Sequence, residues 1–185
     1  IFSSSNKCGR EVIFAVHQDV SEALNGPAYY LGWNESYVEA AYRNNPVPTT
    51  GGNQWWWYTD TYRALLQADP ADTRAALTCR TADYGTGGRR IGWTEKLMGR
   101  VDNGTRIFDS DFILYRYGEA FLMAAEARYY GKDYAGALEA LAPLAARAYG
   151  RRDYYTDTSP EAVLQAIVDE YLREMVGEGR TWWML

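Results

Sequence analysis

The sequence predicts a mainly α-helical protein with a loop-rich front half that contains short strands. Three observations support this. Residues 111–185 carry long apolar-periodic runs bounded by helix start and stop residues. Residues 1–110 break repeatedly at turn formers, among them Gly26-Pro27, Asn44-Asn45-Pro46 and Pro48. The composition, 47 % hydrophobic and 23 % charged over 185 residues, is that of one ordinary globular domain rather than a disordered chain.

In chain order, Glu11–Gln18 ("EVIFAVHQ") reads as a short buried strand or extended segment, since it is rich in β-formers. Asp19–Asn53 reads as loop, and a long irregular stretch in a compact protein is more often functional than idle. "WYTDTYRALLQADPADTRAAL" has helical spacing interrupted at Pro70. Thr78–Asp111 is turn-rich and strand-prone, with "TCRTADYGTGG", "RRIGWTEKL" and "VDNGT". Asp111–Tyr130 predicts a patterned helix with Leu114, Tyr117, Phe121 and Ala124 along one stripe. Gly131 stops it, and the small residues Ala135, Gly136 and Ala137 predict a tight helical hairpin. The pattern Ala124…Gly131-x-x-Tyr134-x-x-Ala137 resembles one tetratricopeptide unit; any helical hairpin with small residues at its crossing fits it as well. "TSPEAVLQAIVDEYLREMVGEG" predicts a last helix capped by Thr158 or Ser159, with Pro160 near its first position, running to Gly177-Glu178-Gly179.

The net charge of −5, with no basic cluster, argues against nucleic-acid binding. No run approaches the ~18 apolar residues of a membrane-spanning helix. Cys8 and Cys79 lack metal spacing; a single bridge between them is open, and two ordinary buried thiols are the expectation. Beginning at Ile1 and ending on "RTWWML", the chain reads as a piece of a longer protein.

Chemistry needs convergent groups, and few are supplied. The sole histidine, His17, sits in an apolar segment and is read as structural. One His and two distant Cys support no transition-metal site, and the glycine runs lack phosphate-loop spacing, so no metal, no cofactor and no catalytic residue is assigned. Glu170, Glu174 and Glu178 recur every four residues on one helix face, which does not make two jaws around a bond; pairing with Arg173, Arg180 or a neighbouring element is expected.

The aromatic content points elsewhere. Sixteen Tyr and seven Trp against five Phe favour rings with a polar handle, suited to half-wet surfaces. In "GGNQWWWY", residues 51–58, neighbours on a helix differ by about 100° and on a strand alternate, so three tryptophans cannot share one buried face. Trp55 or Trp56 is therefore expected to offer a stacking face, with Asn53 and Gln54 reaching ligand hydroxyls. Tyr29, Tyr30 and Trp33 are the next candidates, and Trp57 is expected to be the buried indole. The competing reading packs all three indoles under other segments.

Two blocks resemble the SusD/RagB family. One is Ile167-x-x-Glu170-x-x-x-Glu174-x-x-x-Glu178-Gly179-x-x-Trp182-Trp183-x-Leu185; the other is Arg116-Tyr117-x-Glu119-x-x-Leu122-x-x-Ala125-Glu126-Ala127. Asp69-Pro70 with Arg74, and Lys96, also fall where that family has them, so the resemblance spans roughly residues 55–185. It departs at Tyr171, Thr181 and Met184, which puts local salt bridges in doubt.

The resemblance implies a SusD-like fold: residues 111–185 as its C-terminal helical module with the tetratricopeptide-like hairpin, residues 1–110 as the ligand-binding side. It also implies a surface-exposed lipoprotein of the cell outer membrane in Bacteroidetes, anchored outside this chain. Such a protein binds oligosaccharide or polysaccharide without catalysis, for nutrient uptake through a SusC-like TonB-dependent transporter. A peptide-binding member of the same family and a pure scaffold for the transporter complex are the alternatives, and a glycan-processing enzyme is the rival from another class.

Overall fold

A computed structural model describes residues 2–22, 26–31, 53, 55–84 and 89–184. In chain order the elements are β1 (Val12–Val16), α1 (Gly26–Leu31), α2 (Asp60–Leu66), α3 (Ala75–Thr78), β2 (Arg80–Tyr84) and β3 (Arg89–Trp93). After them come β4 (Arg100–Asp102), β5 (Thr105–Ile107), β6 (Phe112–Arg116), α4 (Tyr117–Tyr130), α5 (Tyr134–Tyr149), α6 (Pro160–Glu174) and a closing 3₁₀ turn, Thr181–Met184.

The core lies where helices α4, α5 and α6 meet. Leu122 and Ala125 face Ala137, Leu141 and Leu144 of α5 and Val163, Ala166, Ile167 and Tyr171 of α6. Ala125 and Ala137 are wholly buried, so the small residues sit where the two helices of the hairpin approach. Asp133 caps α5 by accepting from the Gly136 N–H at 2.9 Å. A Cβ at Gly136 would stand 1.9 Å from that carboxylate, which is why a glycine occupies the first turn. The stop between α4 and α5 differs from the expected one: Gly131 keeps a right-handed φ of −74°, and Lys132 takes the left-handed position.

Three expectations from sequence need correction. Residues 112–116 form strand β6, antiparallel to β1, so the helix expected from Asp111 begins at Tyr117. With the start moved, the inward stripe of α4 is Gly118, Leu122 and Ala125, while Tyr117 and Ala124 point outward. The strand β1 is half-exposed rather than buried, with Ile13, Phe14 and Val16 on the surface. Finally, the stretch read as loop holds the short helix α1; its residues 23–25 and 32–52 lie outside those described.

The front half adds two smaller clusters, Ala28 with Leu97, Met98 and Phe108, and Leu66 with Cys79 and Val176. The pair β4–β5 turns through Asn103-Gly104, both at positive φ, as the strongest short hairpin signal requires. Cys8 and Cys79 are both free thiols, Cys8 exposed and Cys79 buried, so one of the two expected buried thiols is on the surface. No helix among the described residues is long and apolar enough to cross a membrane.

Candidate functional site

The aromatic site is built by two backbone hydrogen bonds. Asn53 and Trp55 lie alongside the end of α1, the Asn53 N–H donating to the Tyr29 carbonyl at 2.8 Å and the Trp55 N–H to the Tyr30 carbonyl at 2.9 Å. These bonds bring together segments more than twenty positions apart. The rings then form a ladder from core to solvent. Buried Phe108 meets Tyr29 edge-on at 5.9 Å, Tyr29 meets Tyr30 at 5.4 Å, and Tyr30 lies against Trp55 at 4.3 Å with 40° between their planes.

Trp55 and Trp56 are 63 % and 67 % exposed, against the usual burial of tryptophan. Trp57 is the least exposed of the three at 43 %, yet it is still a surface residue, so the expectation of a buried Trp57 fails. The reason is local. The helix α2 starts only at Asp60, with Thr59 as its cap, so helical spacing does not apply to Trp57. Tyr58 is the ring that turns inward, donating its hydroxyl to the Thr78 carbonyl at 2.9 Å, and burial pushes its pKa up. Asn53 is half-buried beside the ladder. Gln54 and Trp33, the remaining candidates, lie outside the described residues. Phe108 was missed in the sequence, where nothing in "RIFDSD" ties it to a tyrosine far upstream.

A second constellation is ionic and largely buried. Arg116, almost wholly buried, donates to Glu174 at 2.7 Å and to both oxygens of Glu178 at 2.7 and 2.8 Å. Lys96 reaches Glu178 at 2.6 Å, and Arg74 reaches Glu170 at 2.8 Å and Asp72 at 2.7 Å. Tyr149 and Tyr155 complete the shell of Glu170, donating at 2.6 and 2.7 Å. Arg147 pairs with Glu174 and also with Glu11. Burial alone would raise the Glu174 pKa, but Arg116, Arg147, Lys96 and Arg74 overcome it and hold the carboxyl at about 2.

The glutamates therefore pair chiefly with neighbouring elements, as one of the expected alternatives had it. Arg173 and Arg180 find Asp169 and Glu119 instead. Glu178 lies past the end of α6 and reaches the cluster through the left-handed turn at Gly177. A carboxylate held by two or three cations is kept ionised and weakly basic, as Glu174 and Glu178 are, which does not suit general-base work. His17 likewise is engaged, 3.0 Å from Asp111. No metal-ligating group of three or more residues occurs among those described.

A mainly helical scaffold tied by a buried ionic cluster, with an exposed aromatic ladder on its loop-rich side, is the class of protein these features define. The chain belongs to the SusD family, whose model matches residues 92–185. Among solved structures, a SusD superfamily protein from Bacteroides fragilis superposes over the whole chain with a TM-score of 0.79 at 26 % identity, and one from Bacteroides vulgatus with 0.76 at 26 %. NanU of B. fragilis shares the fold at 22 % identity and a TM-score of 0.68. The chain spans only 42 %, 37 % and 44 % of the length of those three proteins. No curated protein matches the sequence. The SusD-like, mainly α fold expected from the sequence is thus the one observed.

Proposed function

We propose that the protein is a non-enzymatic glycan binder of the cell outer membrane, a surface lipoprotein that presents oligosaccharides to a SusC-like TonB-dependent transporter. Family membership supports the nutrient-binding class, and the exposed ladder Tyr29–Tyr30–Trp55 with Trp56 is the observation that carries it. A pyranose ring has an apolar face that stacks on indole or phenol, and hydroxyls that suit amide groups. On this reading Tyr29, Tyr30, Trp33, Asn53, Gln54, Trp55 and Trp56 contact the ligand, residues 1–110 form the binding side, and residues 111–185 form the scaffold. Rings held in place by backbone bonds lose little freedom on binding, which favours recognition by stacking.

The test is calorimetry of the whole protein against a panel of neutral and acidic oligosaccharides, with peptides as the comparison. Saturable glycan binding that weakens in Trp55→Ala and Trp56→Ala supports the proposal. Binding of peptides alone, or glycan binding indifferent to both substitutions, overturns it.

A further inference from the structure

We propose that the groove between the start of β1 and the α4–α5 hairpin is a second sugar subsite, selective for an acidic residue of the uronic acid type. This rests on the glycan-binding reading above, but uses none of the residues of the aromatic ladder. The groove is open to solvent and offers about 360 Å³, at the small end of ligand pockets and fit for a short saccharide. Tyr117 and Phe121, one helical turn apart on α4, offer ring surface, with Pro143 opposite on α5. Tyr117 is 54 % exposed although it opens a helix next to a buried arginine, and it touches no other ring among the described residues.

The charge at the groove is what selects the ligand. Arg10 is exposed and has no hydrogen-bond or ion-pair partner among the described residues. Arg147 is 44 % exposed; it spends Nη1 on the two Glu11 oxygens at 3.1 Å and Nη2 on Glu174, which leaves its Nε–H without a partner among them. Glu11 is the one carboxylate on the groove wall, and Arg116 claims it too, at 2.9 Å. A ligand carboxylate in the groove thus meets Arg10 and the Nε–H of Arg147, while Glu11 is tied up by Arg147 and Arg116. Guanidinium forks match carboxylates in two-point geometry, and an aromatic wall suits the face of the attached ring.

The experiment measures binding of the whole protein to galacturonate and glucuronate oligosaccharides, each beside its methyl ester, in which the charge is erased. The expected result is binding of at least one acid about tenfold or more tighter than its ester, weakening as salt rises. Arg10→Glu is expected to abolish that preference while leaving neutral-glycan binding at Trp55 and Trp56 unchanged, and Tyr117→Ala to weaken acid and ester alike. Both substitutions fall on exposed side chains, and circular dichroism confirms the fold. Neutral glycans bound without any preference for acid over ester would overturn the second subsite and leave the ladder reading standing; no glycan bound at all would overturn both. An Arg10-dependent response to a glutamate-rich peptide, with none to the uronides, would overturn the sugar assignment.

Discussion

Arg116 and Glu174 stand 58 positions apart in the chain and 2.7 Å apart in the fold. Both are buried, and Arg116 also closes on both oxygens of Glu178, so one side chain ties the end of β6 to the end of α6. Removing it leaves two buried carboxylates short of a cation. Arg116→Ala is therefore expected to cost about 3–5 kcal/mol of stability, the range for breaking a buried pair from one side. Urea unfolding measures it; a loss below about 1 kcal/mol would show that water or Lys96 takes over the charge.

The same cluster sets the response to acid. Glu174 falls from an ordinary 4.5 to about 2, because four cations outweigh the burial that opposes ionisation. Glu178 is lowered as well, burial again being overcome by Lys96 and Arg116. A carboxyl depressed in the folded state contributes stability above its unfolded pKa and loses that contribution as pH falls through the folded value. Stability is expected to fall steadily between about pH 4.5 and 2, by on the order of 3 kcal/mol from Glu174 alone. Denaturant midpoints across that window check it, and the slope should flatten in Glu174→Gln.

Gly118 offers a sharper test of how tightly α4 closes on the cluster. A Cβ there would come within 2.1 Å of the Arg116 guanidinium and 3.1 Å of a Glu174 oxygen. Gly118→Ala raises helix propensity by about 1 kcal/mol, yet the net effect is expected to be a loss of about 1–3 kcal/mol through overpacking. A thermal melt gives the sign directly. A stabilised variant would mean that Arg116 has room to move.

The hairpin α4–α5 was legible in the sequence because its small residues are a local signal; the Asp133 cap emerged only in the structure. Strand β6 was not, since "FILYR" carries a helix pattern into the next segment and only pairing with β1, about a hundred positions away, makes it extended. The ionic cluster was half legible. The glutamates' spacing put Glu170 and Glu174 on one face, but the identity of their partners depends on where Arg74, Lys96 and Arg116 arrive in space. At the aromatic site the counting argument foresaw at least one outward indole, Trp55 or Trp56; that Tyr30 backs Trp55 is a long-range fact set by two backbone bonds.

Incubation with glycans should yield no hydrolysis products. Glu170, Glu174 and Glu178 are each held by cations or tyrosines, and all three belong to one folded cluster rather than facing each other across a cleft. Chromatography after long incubation is the measurement. Turnover that vanished in a folded Glu174→Gln variant would reassign the cluster to catalysis.

The final prediction concerns the coupling of Tyr30 to Trp55. Trp55→Ala and Trp56→Ala remove exposed rings, so each should leave stability within about 0.5 kcal/mol. Each should also weaken glycan binding by up to roughly tenfold, taking a stacking contact as worth ~0.5–1.5 kcal/mol. Trp57→Ala should do less, being the most covered of the three indoles. Tyr30 touches Trp55 at 4.3 Å, so if the ladder binds as one surface the two residues act through the same contact. Tyr30→Ala and Trp55→Ala should then be non-additive, the double variant losing clearly less affinity than the sum of the single losses. Trp56, for which no contact with Tyr30 is seen, should instead add independently. Strict additivity of Tyr30 with Trp55 would mean that the two rings act independently rather than as one surface.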